Sequence, residues 1–274
     1  MSAPSSEYLL GYTDHERRRL ALQAAVLNPL TEDFLVRAGL ARGMRVLDLG
    51  CGVGEVALIA ARLVGPDGHV TAIDLDEGAL RISRARAAAA GITHLSFEQA
   101  NVVEHHAPQP YDAVIGRHIL IHTPDPVAAL RQAAAQVHPG GVVAFQEYDL
   151  SHAYPNTPAK PLFEKTFQFL IDLFTRASHA AIGVQLFQMF RDVGLANVQS
   201  RAEFLLDGGA GCPFYEWVAE TMRSLVPKLE SLGIATSHEI DVDTLADRLR
   251  QEALAVGGCL ASPVIVGTFG RRPS

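Results

Sequence analysis

One short segment constrains this chain more than any other: Val46-Leu47-Asp48-Leu49-Gly50-Cys51-Gly52-Val53-Gly54. A run of apolar residues ends in three glycines at alternate positions. Arg45 to Leu49 is short and apolar enough for a buried strand. Alternating glycines let the backbone turn sharply and let a ligand approach with no Cβ in the way. Glu55 to Val64 follows as an alanine-rich helix. Asp74 ends the next apolar run, 24 positions after Gly50. A carboxylate placed there can accept hydrogen bonds from both hydroxyls of a ribose.

The spacing also discriminates between nucleotides. A nicotinamide fingerprint is Gly-x-Gly-x-x-Gly, with its third glycine further along the helix. Here the order is Gly-x-Gly-x-Gly, and Glu55 comes next. An acid at a helix N-terminus repels a pyrophosphate. Asp48, at the strand end, suits a cationic amine. Both departures favour a nucleoside without phosphates. A strand-to-helix turn with no ligand would require three glycines, Asp48 and Asp74 to coincide by accident.

Strands are predicted at 45–49, 69–75, 95–99, 111–116 and 142–148. Helices at 55–64 and 77–90 alternate with them, as does one starting at Asp125-Pro126 and ending near His138-Pro139-Gly140-Gly141. This alternation predicts an α/β fold with a doubly wound parallel sheet, helices on both faces, and ligand beyond the carboxyl ends of the strands. Ahead of it, two helices are expected. The first is capped by Thr13 in a capping box with Glu16; the second runs from Thr31 to about Leu40, after an interruption at Asn28-Pro29. Beyond residue 150 the pattern gives helices at 162–179, 183–193, 212–232 and 243–255. Strands at 198–206 and 264–269 bring the total to seven.

Composition removes other classes. With 48% hydrophobic and 19% charged residues, disorder and coiled coil are excluded. A net charge of −7 argues against a general nucleic-acid binder. Cys51, Cys212 and Cys259 form neither a disulfide framework nor a metal-type spacing, which points to a reducing compartment and a cytoplasmic location. The first residues lack a basic segment followed by an apolar one, so no secretory signal is expected. The longest uncharged run, Ala253 to Gly270, is broken by Gly257-Gly258 and Ser262-Pro263, so no membrane span is expected. Abundant Arg and Ala beside only three Lys fit a bacterial origin with a GC-rich genome.

The segment Val46 to Gly54, the acid at Asp74 and the His138-Pro139-Gly140-Gly141 turn resemble class I S-adenosylmethionine-dependent methyltransferases. Tyr111-Asp112-Ala113-Val114 with His122 and Asp125-Pro126 is similar to the small-molecule type related to ubiquinone and menaquinone biosynthesis. The resemblance covers residues 30 to 150; the remainder fits by element order. It implies a seven-stranded Rossmann-like domain over 41–274, after an N-terminal helical cap at 1–40. Within that domain, 41–150 would bind S-adenosylmethionine, 151–262 would be a mostly helical acceptor region, and 263–270 would be the last strand. Asp48 and the backbone of Gly50, Cys51, Gly52 and Gly54 would surround the methionine moiety. Asp74 would hold the ribose, Leu75 would lie against the adenine with Asn101 near its amino group, and Val102 would also bind the cofactor. Arg117 and His118 would line the sulfonium side. Tyr12, Arg19 and Gln23 would close over the cofactor, and S-adenosylhomocysteine would be the product.

Methyl transfer demands alignment above all, with a base where the acceptor must lose a proton. His118, His122, Glu147, Asp149 and His152 stand at the expected strand ends. His122 is the first candidate, because it follows strand four and titrates near neutrality; Glu147 is the second. A helix-entry or packing role competes for His122, and a structural hydrogen-bond acceptor under the cap competes for Glu147. The Arg117-His118-Ile119-Leu120 run lacks the acidic or amide residue and paired prolines of amino-methylating DNA enzymes. Arg117 would repel the Mg²⁺ of catechol-type enzymes, and His118 with His122 lacks a third zinc ligand, so no metal is expected.

Phe163, Phe167, Phe169, Leu170, Phe174, Phe187, Met189 and Phe190 could build core or an apolar acceptor cavity. Phe214, Tyr215 and Trp217 could wall that cavity or form a homodimer face. The expected partner is a small, apolar or aromatic metabolite, in keeping with secondary metabolism. Two alternatives stand beside methyl transfer: a protein that uses the bound cofactor to steer a different reaction, and a nicotinamide oxidoreductase.

Overall fold

The computed structural model of the chain describes residues 14–152 and 156–274. The elements are α1 (Asp14–Ala38), β1 (Arg45–Leu49), α2 (Glu55–Val64), β2 (His69–Asp74), α3 (Glu77–Ala89), β3 (Leu95–Gln99), β4 (Tyr111–Arg117), a 3₁₀ turn (Leu120–His122), α4 (Pro126–Ala135) and β5 (Val137–Asp149). They continue with α5 (Pro161–Ala177), α6 (Ile182–Asp192), β6 (Ala196–Glu203), β7 (Leu206–Asp207), α7 (Phe214–Ser231), α8 (Ser237–Ile240), α9 (Val242–Val256), β8 (Leu260–Ala261) and β9 (Val264–Arg271).

The chain divides into two compact units. Of the described residues, one comprises 27–147, 182–202 and 266–274; the other comprises 14–26, 148–152, 156–181 and 203–265.

The first unit is built on a seven-stranded sheet in the order β3-β2-β1-β4-β5-β9-β6. β1 pairs in parallel with both β2 and β4, β2 with β3, and β4 with β5. The chain therefore steps outward one way from β1 to β3, then restarts at β4 on the other side. The crevice of a doubly wound sheet opens at this reversal, at the carboxyl ends of β1 and β4. Val46, Leu47, Ala113, Val114 and Ile115 are fully buried, as expected for strands covered on both faces. Ala57, Ala60 and Ala61 bring α2 close against them. Asp125 caps α4 through Ala128 N, with Pro126 in the first turn.

Three sequence expectations change here. The two N-terminal helices are one, because α1 runs through Pro29. Proline removes one helical hydrogen bond, but Leu27, Phe34, Leu35 and Ala38 are buried on one face, and that packing holds the helix across the gap. The Thr13 cap lies outside the described residues. His138 to Gly141 is the start of β5 rather than a turn before it: Gly140 N donates to Arg272 O at 2.8 Å and Arg272 N to Gly141 O at 3.0 Å, extending the strand backwards. The expected strand at 198–206 stops at Glu203, and Leu206 and Asp207 pair instead with Ala261 and Leu260.

The second unit packs α7 on α9 and holds the two-stranded β7-β8 sheet. Phe214, Tyr215 and Trp217 are buried there, with the Phe214 and Trp217 rings 5.9 Å apart. They belong to the core of this unit. Glu252 accepts from Leu162 N at 2.8 Å and Phe163 N at 3.1 Å, satisfying the first turn of α5. Phe163, Phe167, Leu170 and Phe174 are buried in this unit. Met189 and Phe190 are buried in the sheet unit, while Phe187 is exposed.

Candidate functional site

The glycine turn leaves β1 with φ of 66° at Gly50, 52° at Gly52 and 84° at Gly54. Side chains other than glycine rarely adopt these values. A Cβ on Gly50 would lie 2.4 Å from Ile119 Cδ1, and one on Gly54 would lie 3.1 Å from Ser83. At Gly52 nothing stands within 4 Å, so that side of the turn is open.

The middle glycine is held at both ends of its peptide. Gly52 N donates to Asp74 Oδ2 at 2.8 Å, and Ser83 Oγ donates to Gly52 O at 2.8 Å. Asp74 Oδ1 accepts from Asp76 N at 3.0 Å. Each Asp74 oxygen thus takes one amide and keeps a second lone pair. Burial raises this carboxyl above its usual range, with the amides of Asp76, Gly52 and Leu75 working against the rise. Cys51 N donates to Ile73 O at 2.9 Å; its thiol is buried and pushed well up by desolvation.

Asp48 is the most unusual group in the site. It is 1% exposed, and neither carboxylate oxygen completes a hydrogen bond. Desolvation pushes its pKa up to about 8; the Arg117 charge and the Ala57 amide oppose the rise, and Asp74 adds to it. A buried carboxyl with two empty acceptors is costly unless something supplies donors or positive charge.

Glu55 corrects one step of the sequence argument. Its carboxylate is paired with Arg86 at 2.6 Å and accepts from Asn28 Nδ2 at 2.8 Å, while Arg86 also donates to Val53 O at 2.7 Å. A carboxylate so neutralised repels a pyrophosphate weakly.

Arg117, at the end of β4, donates to Asn28 Oδ1 at 3.1 Å and Thr31 Oγ1 at 2.8 Å on α1. His118 follows with φ of 54° and donates its backbone N–H to Gln146 O at 2.9 Å. His122 is half-buried in the 3₁₀ turn. Glu147 is fully buried; its Oε1 accepts from Ile119 N at 2.9 Å and Leu120 N at 2.7 Å, and burial pushes its pKa up to about 8.

At the other end of the crevice, Leu75 follows β2 and is 55% exposed. Asn101 Oδ1 accepts from Val103 N at 3.0 Å, and Val102 is buried. Arg19 Nη1 donates to Gln23 Oε1 at 2.7 Å, a buried pair on the part of α1 that belongs to the other unit. Tyr12 lies outside the described residues. Asp149 and His152, also in that unit, are joined through Ser151 Oγ at 2.7 and 2.8 Å.

Sequence reasoning missed Ser83, Ile119, Asn28 and Arg86. Ser83 carries a faint signal: it sits between Ala79 and Ala87 at helical spacing, a polar residue on a buried stripe. The others act through partners 27 or more positions away and leave no local trace. Among the described residues, no group of three His, Cys, Asp or Glu side chains could hold a metal ion. Among them, too, no helix is long and apolar enough to cross a membrane.

Residues 40–191 match a methyltransferase domain family. Demethylmenaquinone methyltransferase of Halalkalibacterium halodurans is 29% identical over 185 residues, covering 61% of this chain and 74% of that protein. Ubiquinone biosynthesis O-methyltransferase of Aeromonas salmonicida is 37% identical over 120 residues, 43% of this chain and 49% of that protein. The chain thus spans about half the length of the ubiquinone relatives it matches. Among solved structures, phosphoethanolamine N-methyltransferase 2 of Haemonchus contortus, in complex with S-adenosyl-L-methionine, superposes with a TM-score of 0.56 at 17% identity, over 90% of this chain and 53% of that one.

Proposed function

The chain belongs to the methyltransferase domain family, and from that premise we propose that it transfers a methyl group from S-adenosylmethionine to an O, N or C atom of a small, apolar or aromatic metabolite. The observation that carries this reading is Asp48, a buried carboxyl with two empty acceptors behind an open glycine turn. A cationic amine supplies what Asp48 lacks, and a phosphate would aggravate it. When bound, the cofactor supplies a methyl group already activated by a positively charged sulfur.

The chain's own residues then bind and orient. Asp48 and the peptides of Gly50 to Gly54 hold the amino-acid end. The spare lone pairs of Asp74 take the two ribose hydroxyls. Leu75 and Val102 give the adenine apolar surface, with Asn101 beside them. Arg117 and His118 line the sulfur side. His122, half-buried in the turn that follows β4, takes the acceptor's proton. An aromatic acceptor is the choice that the relatives' names favour, a demethylmenaquinone methyltransferase and ubiquinone biosynthesis O-methyltransferases. Three free cysteines suit a reducing, cytoplasmic setting.

A panel of phenols, amines and carboxylic acids incubated with methyl-labelled cofactor tests the acceptor class. Label in a phenolic or apolar product is expected; label only in protein or nucleic acid would overturn the reading. Asp74→Ala is expected to weaken cofactor binding by ~1–3 kcal/mol, the cost of leaving buried polar groups without a partner. Calorimetric titration reads this directly, and unchanged affinity would mean that this carboxylate does not hold the ribose.

A further inference from the structure

We propose that Glu147 is a positioning residue that sets the wall of the cofactor turn through Ile119, and that it does not act as a base. The proposal rests on the cofactor reading above. It starts from the exit of β4, where the chain leaves the sheet at Arg117 and turns through His118 and Ile119 into the 3₁₀ turn. Backbone N–H groups buried at such an exit need acceptors. Glu147 Oε1 serves both Ile119 N and Leu120 N, at 2.9 and 2.7 Å.

The Ile119 side chain is placed by that clip into space that two glycines leave empty. A Cβ on Gly50 would meet Ile119 Cδ1 at 2.4 Å, and a Cβ on Gly116 would meet Ile119 Cγ2 at 2.9 Å. The same Gly116 position would meet the Phe145 ring at 2.7 Å. Phe145 and Glu147 stand two apart on β5 and so share one face of it. From that face the strand fixes the end of β4 twice, once by ring packing and once by hydrogen bonds. Ile119 in turn backs the first glycine of the turn.

A base must reach the acceptor's proton, and Glu147 is 0% exposed with one oxygen already engaged. Its raised pKa, a consequence of burial, leaves it protonated at neutral pH. A neutral carboxyl presenting one oxygen to two amides is mimicked by glutamine, whose carbonyl accepts in the same way.

The test compares the parent with Glu147→Gln, Glu147→Leu and Ile119→Ala. Binding of S-adenosylhomocysteine is measured by calorimetry, and hydrogen exchange is measured at the Ile119 and Leu120 amides. Glu147→Gln should bind within about threefold of the parent with both amides protected, since the two hydrogen bonds remain. Glu147→Leu should bind about tenfold or more weakly with both amides exchanging freely. Ile119→Ala should lose comparable affinity with Glu147 in place. Parent-like binding by Glu147→Leu, or equal loss in Glu147→Gln and Glu147→Leu, would overturn the proposal. If Glu147→Leu does not fold, parent-like binding by Ile119→Ala overturns it and loss of affinity there supports it. If the parent itself binds no S-adenosylhomocysteine, the cofactor reading fails. The clip is then judged by exchange: rapid exchange of either amide in the parent overturns it, and protection in both parent and Glu147→Gln supports it.

Discussion

Gly50→Ala is expected to cost the fold roughly 2–5 kcal/mol, enough to unfold a marginal protein. Two effects add at this position. The backbone sits at φ of 66°, where a Cβ costs about 1–2 kcal/mol. The new methyl would also stand 2.4, 2.7 and 3.0 Å from three carbons of Ile119, an overlap that overpacking data put at about 1–3 kcal/mol. Rotation about χ1 moves the two outer carbons but not the Ile119 Cβ, whose place is set by the backbone that Glu147 holds. Gly52→Ala supplies the contrast. Its φ is 52°, yet nothing lies within 4 Å, so only the conformational cost of about 1–2 kcal/mol applies. Denaturant unfolding of the two variants separates these contributions. Equal losses would mean that Ile119 is not seated against the first glycine.

Asp48→Asn is expected to stabilise the cofactor-free protein and to weaken its binding of the cofactor. The direction follows from the raised pKa. An aspartate titrating near 3.8 when unfolded and at about 8 when folded holds its proton more tightly in the native state. Its contribution to stability is fully present below pH 3.8, is lost as pH rises from there through about 8, and then levels off. Asparagine has no proton to lose. The variant should therefore gain on the parent between pH 5 and pH 8, by at most about 1.4 kcal/mol per pH unit. Cofactor affinity should fall by about 1.5–3 kcal/mol, because an amide cannot replace the charge that faces a cationic amine. In the parent, binding near pH 7 should release a proton from Asp48, visible as a dependence of the calorimetric heat on buffer ionisation. Parallel stability curves for parent and variant would show that Asp48 is ionised before anything binds.

These two sites differ in how openly the sequence displays them. Asp48 and Gly50 lie in one nine-residue segment, and their chemistry depends on neighbours along the chain. β1, α2 and β3 begin and end where the residue pattern puts them, because buried runs and turn glycines are local signals. The continuity of α1 through Pro29 comes from packing against residues distant in sequence. The backward extension of β5 comes from Arg272, more than 130 positions on. β7 is a strand only because β8 returns beside it. The candidate site divides in the same way. Asp74 is readable as the acid closing a strand, whereas Ser83, which grips the same glycine peptide from α3, looks like an ordinary helix residue. Glu55 reads as a bare acid at a helix start until Arg86 and Asn28 are seen to hold it. Glu147 reads as an acid at the end of β5, and the sequence does not show its two backbone donors on a turn 27 and 28 residues earlier.

The most direct measurement is a calorimetric titration of the purified chain with S-adenosylhomocysteine, run beside titrations with NADH and with pyrophosphate. Saturable binding of one equivalent of S-adenosylhomocysteine is expected, lost in the Asp74→Ala and Asp48→Asn variants in proportion to the figures above, with no response to the other two. Tight binding of NADH or pyrophosphate at the glycine turn, or no binding of S-adenosylhomocysteine at all, would contradict a phosphate-free cationic nucleoside as the occupant of this crevice.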